Sequence, residues 1–160
     1  MTKQQKTLQK LDDMNIAYDL KEHPAVYTIE EMDGLGISED VVKNLFLRDS
    51  SGKRHFLVVV PKEKQANLRS ISDKLGTSRL SFASEDRLER YLKLSKGSVS
   101  PLGVLNDTDN AVEVVFDKDL IGRQRVGVHP NDNTATVWMP FDVLRGVVEH
   151  NGNTIHFIEL

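Results

Sequence analysis

The sequence predicts an α+β fold: a mixed, largely antiparallel central sheet of about seven strands flanked by about five helices. Apolar residues recur at helical spacing in segments that open on capping residues, while β-branched and aromatic runs bounded by turn residues lie between them. The two kinds of segment alternate irregularly, and several strands are joined by hairpins, unlike the regular strand–helix repeat of a parallel sheet. No internal repeat, low-complexity tract or linker interrupts the pattern. A length of 160 residues suits one domain, residues 1–160, with a core that needs no covalent staples.

Thr2-Lys3-Gln4-Gln5 matches a capping box, and Leu8, Leu11 and Met14 share a face, which predicts a helix over residues 3–14. Ile16 to His23 alternates as a short strand that ends before Pro24. Thr28-Ile29-Glu30-Glu31 is a second capping box, starting a short helix that Gly34 stops, and Ser38 to Asp40 form a further turn. The stretch Val41 to Pro61, VVKNLFLRDSSGKRHFLVVVP, is the hairpin around which the rest is arranged: apolar Leu45 to Leu47, turn residues Asp49 to Gly52, then a β-branched and aromatic run closed by Pro61.

Asn67 to Leu75 places Leu68, Ile71 and Leu75 on one helical face, with Gly76 as the stop. Arg79 to Ala83 reads as a strand, and Ser84 caps a helix whose Leu88, Tyr91 and Leu92 turn inward before Gly97 ends it. A loop rich in small residues runs from Lys96 to Gly103. Val112–Asp117, Arg125–His129 and Thr134–Met139 follow as strands, the last two joined by a Pro130–Asn133 hairpin. Pro140 opens a helix carrying Phe141, Leu144 and Val148, and Asn151-Gly152 turns the chain into a last strand, Thr154–Glu159.

A hydrophobic fraction of 39% and a charged fraction of 28% are those of an ordinary globular protein. Cysteine is absent, which excludes disulfides, a thiolate nucleophile and Cys-ligated zinc. No apolar run approaches the roughly 20 residues of a membrane span, and MTKQQKTLQK lacks a signal-peptide core, so a cytoplasmic protein with no membrane partner is expected. Net charge is −3, yet residues 43–96 carry 13 basic and 6 acidic side chains while the flanking segments are acidic. That asymmetry suits a phosphate-facing surface, or charges dispersed over opposite faces.

The five histidines, His23, His55, His129, His150 and His156, show no short ligand spacing. The pairs Asp107/Asp109 and Asp117/Asp119 lack the glycine and terminal Glu of an EF-hand loop, so no metal is expected. With no Walker loop, GxGxxG or GxSxG motif, no nucleotide cofactor is expected either. Three features remain. Lys43 begins an otherwise apolar strand, either as a solvated end or as a cation at the mouth of a pocket. The Gly97–Gly103 loop is a plain connection, or a run whose backbone N–H groups converge on an anion or a carbonyl oxygen. His129 closes a strand at a turn, either packed or positioned to orient water or a substrate hydroxyl.

Together, Lys43-Asn44-Leu45-Phe46-Leu47-Arg48-Asp49, the HFLVVVP strand, Gly97-Ser98-Val99-Ser100-Pro101 and the GVHPN turn resemble the YbaK-type aminoacyl-tRNA editing domains, the prolyl-tRNA synthetase insertion-domain superfamily. The resemblance runs nearly end to end and is strongest to free-standing deacylases of mischarged Ala-tRNA(Pro). It implies the YbaK fold and a cofactor-free carboxylic ester hydrolase that protects translation fidelity in trans. A synthetase pocket sized for proline discriminates against smaller side chains by only ~1–3 kcal/mol, so a second, smaller sieve removes alanine.

By the same resemblance, Lys43 anchors the terminal adenosine phosphate or the ester, and Gly97, Ser98 and His129 join it as catalytic residues. Val99, Ser100 and Pro101 complete the loop that faces the ester. Asn44 and His129 orient the substrate, whose ribose 2′-hydroxyl helps activate water. Phe46, Val26, Ile29 and Met32 form the size-limiting wall. Lys53, Arg54, Lys62, Lys64 and Arg69 are expected on the tRNA backbone. The implied partner is the acceptor end of aminoacylated tRNA(Pro), with prolyl-tRNA synthetase as a second candidate partner, and the chain is expected to be a monomer. The alternatives are the same chemistry on Cys-, Ser- or Thr-charged tRNA, or a non-catalytic module that binds tRNA or a synthetase.

Overall fold

In the computed structural model, which describes residues 1–160, eight strands form two sheets accompanied by five α-helices. In chain order these are α1 (Lys3–Asp13), β1 (Asp19–Glu22), α2 (Ile29–Gly34), β2 (Val42–Arg48), β3 (His55–Pro61), α3 (Leu68–Leu75) and β4 (Ser81–Phe82). There follow α4 (Glu85–Leu92), β5 (Val112–Asp117), β6 (Val126–Val128), β7 (Ala135–Met139), α5 (Phe141–Asn151) and β8 (Ile155–Ile158). Short 3₁₀ turns lie at Lys96–Ser98, Pro101–Asn106 and Lys118–Leu120.

The larger sheet has the order β4-β2-β3-β5-β8, and β3 at its centre is buried along its whole length. Its side chains alternate between two cores as the pleat requires. Leu57 and Val59 enter the main core with Phe116, Phe141 and Leu144. Phe56, Val58 and Val60 pack beneath α3 with Ile71. The β2–β3 hairpin is antiparallel, whereas β3–β5 and β5–β8 pair in parallel. The smaller sheet, β1-β7-β6, is antiparallel throughout.

The expected single sheet of about seven strands is therefore corrected to sheets of three and five strands. They meet at one isolated bridge, Val41 to Gly127. Gly127 is needed there, because a Cβ would lie 2.6 Å from Trp138 Nε1 and 2.9 Å from Val41 Cγ1. Periodicity reports that a segment is a strand, and not which edge it joins.

The capping box at Thr2 closes in both directions, Thr2 Oγ1 accepting from Gln5 N at 3.1 Å and Thr2 N donating to Gln5 Oε1 at 2.9 Å, whereas the expected box at Thr28 forms only its first half, Thr28 Oγ1 accepting from Glu31 N at 3.1 Å. The helix after Ser84 ends at Leu92, short of the expected Gly97. Lys93 turns the chain in the left-handed region at φ 58°, which drops Leu94 into the core at 1% exposure. Strand β4 pairs with Leu47 and Arg48 alone, so the outer edge of β2 from Val42 to Leu45 is left uncovered by it. No helix is long and apolar enough to cross a membrane.

Candidate active site

A cavity of about 260 Å³ opens at that uncovered half of β2. Its walls bring together three stretches far apart in sequence: the segment around α2, the start of β2, and the turn after α4, with His129 as a fourth contributor. Lys43 and Gly97, two of the residues expected to act together, line this one space. Lys43 is half-buried opposite Val60 of β3 and takes part in none of the protein's ion pairs. An ammonium fixed by a strand, with its charge uncompensated, is suited to an anionic or polarised ligand group.

Val26, Ile29 and Met32 line the cavity as the apolar side of its wall, and Asn44 and Val99 line it as well. The backbone N–H groups of Gly97 and Val99 make no hydrogen bond within the protein. They are donors available to an oxyanion or a carbonyl oxygen. The Oδ1 atom of Asn44 is buried and likewise has no partner. Unpaired buried acceptors are costly, and a ligand donor here would relieve that cost.

His129 sits where β6 ends. Its Nδ1 donates to the carbonyl of Ala135 at 2.8 Å, which leaves Nε2 as an acceptor. Burial holds its pKa below the ordinary histidine value; the Ala135 hydrogen bond and Asp132 oppose this, and His23, whose ring centroid is 6.1 Å away, adds to it. The ring is therefore neutral at neutral pH, and its Nε2 lone pair has no partner within the protein.

A small hollow of about 20 Å³ adjoins the cavity and shares Met32, Val42, Asn44 and His129 with it. Gly127 and the fully buried Thr136, whose hydroxyl bonds His23 Nε2 at 2.9 Å, also line it. This volume holds one methyl- or water-sized group.

Other expected site residues lie elsewhere. Ser98 is 5% exposed, and its N–H donates to Ser95 O at 2.9 Å, so it is not part of the wall. Ser100 is fully buried and donates through Oγ to His129 O at 2.6 Å, pinning the loop to the β6 end from below. Pro101 is buried in the following 3₁₀ turn. Phe46 lines a neighbouring groove, not the cavity.

Of the expected tRNA-facing cations, Arg54 binds Glu113 through both its Nε and Nη2 at 2.9 Å. Lys64 pairs with Asp117 and Asp119, and Lys62 donates to Ser38 O at 2.8 Å. These three are engaged within the protein, while Lys53 and Arg69 are exposed. Tyr27, Thr28 and Lys96 line the cavity without having been singled out for it. Spacing marks Thr28 only as a helix cap, Lys96 shows only as the start of the small-residue loop within the basic segment, and nothing marks Tyr27. No group of three or more His, Asp or Glu side chains is arranged to hold a metal ion.

An uncompensated lysine, free backbone donors and a neutral imidazole around a small cavity are groups chemically suited to a polarised carbonyl, and comparison with known proteins names the class. Residues 23–146 match the aminoacyl-tRNA editing domain, and the chain belongs to that family.

It is 54% identical over 162 residues to the prolyl-tRNA editing protein ProX of Acetoanaerobium sticklandii, an alignment covering 100% of this chain and 99% of that one. It is 38% identical over 141 residues to the prolyl-tRNA synthetase associated domain-containing protein 1 of Danio rerio, covering 85% and 76% of the two chains. The fold matches that of a solved candidate trans-editing enzyme for prolyl tRNA synthetase, with a TM-score of 0.74 at 18% identity over 100% and 99% of the two chains.

Proposed function

We propose that this chain hydrolyses Ala-tRNA(Pro) in trans, releasing alanine and free tRNA(Pro), with residues 1–160 acting as a single domain. The ProX relative, alike over the whole chain, supports editing of a mischarged prolyl-tRNA. The observation that carries the choice of alanine is the hollow of about 20 Å³ beside the cavity. A methyl side chain fills it, whereas the ring of proline overfills it, and overpacking costs roughly 1–3 kcal/mol.

With the methyl so seated, the ester carbonyl lies at the free N–H groups of Gly97 and Val99, which stabilise the negative charge as water adds to the carbonyl carbon. Lys43 holds the terminal phosphate or the ester oxygen. His129 Nε2 accepts a proton from the attacking water directly or through the ribose 2′-hydroxyl. The ester C–O bond then breaks and the ribose oxygen takes up a proton. Asn44 Oδ1 accepts from the substrate's ammonium group. Ser98, Ser100 and Pro101 support the loop from beneath instead of touching substrate.

The test is a deacylation panel over Ala-, Ser-, Cys-, Thr- and Pro-charged tRNA(Pro). Preferential loss of the alanyl ester is expected. Intact Ala-tRNA(Pro) after long incubation with excess protein would overturn the proposal, and tRNA affinity without turnover on any ester would favour a binding module.

A further inference from the structure

Phe82 is 62% exposed on the two-residue strand β4. Burying such a ring would contribute about 1.5–3 kcal/mol, and Phe82 stands beside an apolar groove that could take a flat ring. Phe82 lines the edge of this groove of about 490 Å³, whose apolar walls include Leu45, Phe46, Leu88 and Val99. Glu85 and Lys96 add charge to its lining. The groove shares Asn44, Leu45, Lys96 and Val99 with the cavity at β2, so the two spaces are contiguous.

We infer that this groove seats the 3′-terminal nucleobase of the RNA, stacked on Phe82. The inference rests on the ester reading of the neighbouring cavity. An ester held there is joined through a single ribose to its base, so the base must lie in an adjoining space. The groove shares a wall with the cavity and is apolar where a base presents its faces. Phe82 is held in place by its backbone: it pairs with Leu47, and Ala83 N donates to Phe46 O at 3.0 Å. The strand that carries the ring is thus fixed, and stacking on an aromatic side chain tolerates any base because every base has a π face. The Glu85 carboxylate supplies an acceptor for an exocyclic amine.

The experiment uses an uncharged acceptor-stem RNA hairpin with 2-aminopurine as its 3′-terminal base, whose fluorescence is quenched by stacking. Titration with the full chain is expected to quench it. Phe82→Ala and Phe82→Leu are expected to abolish the quenching and weaken binding about tenfold, a loss within the range measured for stacked bases, while Phe82→Trp retains both. Because the side chain is exposed, these variants keep the fold. Unchanged fluorescence on binding, or equal quenching by Phe82→Ala, overturns the inference. Quenching without hydrolysis of any aminoacyl ester would leave the base seat standing and remove the editing reading. Hydrolysis of Ala-tRNA(Pro) without quenching would do the reverse.

Discussion

The ring of Tyr27 lies directly on Gly97, so close that a Cβ there would be 2.6 Å from Tyr27 Cδ1 and 2.8 Å from Cε1. Glycine is required at this point by the aromatic ring of a distant segment, independently of any special backbone angle. Tyr27 is 70% exposed, so an added methyl would push the ring outward and deform the cavity wall while sparing the core. Gly97→Ala is expected to lower single-turnover deacylation about 100-fold, as misplacements of about 1 Å do, with little change in the melting temperature. Adding Tyr27→Ala to Gly97→Ala should restore part of the rate, which a single-turnover assay on the double variant would show.

Lys43 supplies a cation that no carboxylate of the protein compensates. Lys43→Ala is expected to reduce deacylation by a factor of about 10²–10³, the cost of removing one group that stabilises developing charge. Lys43→Arg should recover only a minor part, because a planar fork does not reproduce a compact ammonium. Comparison of kcat and KM for the three proteins with saturating alanyl-tRNA measures this.

His129 must be neutral to accept a proton, and burial holds its pKa below the ordinary value of about 6.5. A depressed pKa keeps the base form populated as pH falls, so activity should stay level through about pH 6.5 and decline only in more acidic solution. His23 contributes to the depression and Asp132 opposes it. His23→Gln should therefore move the acid limb upward, towards the ordinary histidine range, and Asp132→Asn should move it downward. A pH profile of kcat/KM for each variant distinguishes these shifts from a uniform loss of rate.

Much of this architecture is legible in the residues themselves. Thr2, Thr28 and Ser84 announce their helices through oxygens that accept the expected backbone N–H groups. The unbroken apolar run of β3 announces a strand buried on both faces. Lys43, Gly97 and His129 could each be picked out by chemistry, but their shared cavity depends on β4 being two residues long, a tertiary fact with no local signature. The basic residues show the same limit. Arg54 and Lys64 look free in sequence because their partners, Glu113 and Asp117, come from β5, far along the chain. Tyr27 was missed because an exposed tyrosine in a loop carries no pattern at all.

Met32 is 5% exposed and belongs to both the cavity and the small hollow. Truncating it joins the two spaces and makes room for a ring. Met32→Ala is expected to raise hydrolysis of Pro-tRNA(Pro) relative to Ala-tRNA(Pro) by about tenfold or more, within the ~1–3 kcal/mol available from a pocket of this kind. A large-to-small change in a core also destabilises the fold. The ratio of the two rates, measured on one preparation, is independent of how much protein is folded.

Arg54 and Glu113 join β3's start to β5 through two hydrogen bonds of 2.9 Å, and His156 Nε2 adds a third contact to Glu113 Oε1 at 2.9 Å. The Arg54 bonds chiefly, and His156 after them, hold the Glu113 pKa below the ordinary carboxylate value against the opposing effect of burial. A depressed folded-state pKa contributes stability above the unfolded value of about 4.3, and this is lost as pH falls through the lower folded value. Arg54 is 44% exposed, so screening limits the pair to about 1 kcal/mol. Glu113→Gln should therefore lower the melting temperature by about 2–4 °C at neutral pH, the shift expected per kcal/mol for a domain of this size. That difference should shrink as the pH falls below about 4. Because Arg54 is committed to this pair, Arg54→Ala should show the same loss of stability while its affinity for tRNA stays within twofold of the parent, as measured by filter binding at one fixed salt concentration. A fall in affinity of tenfold with no change in melting would instead return Arg54 to the RNA surface.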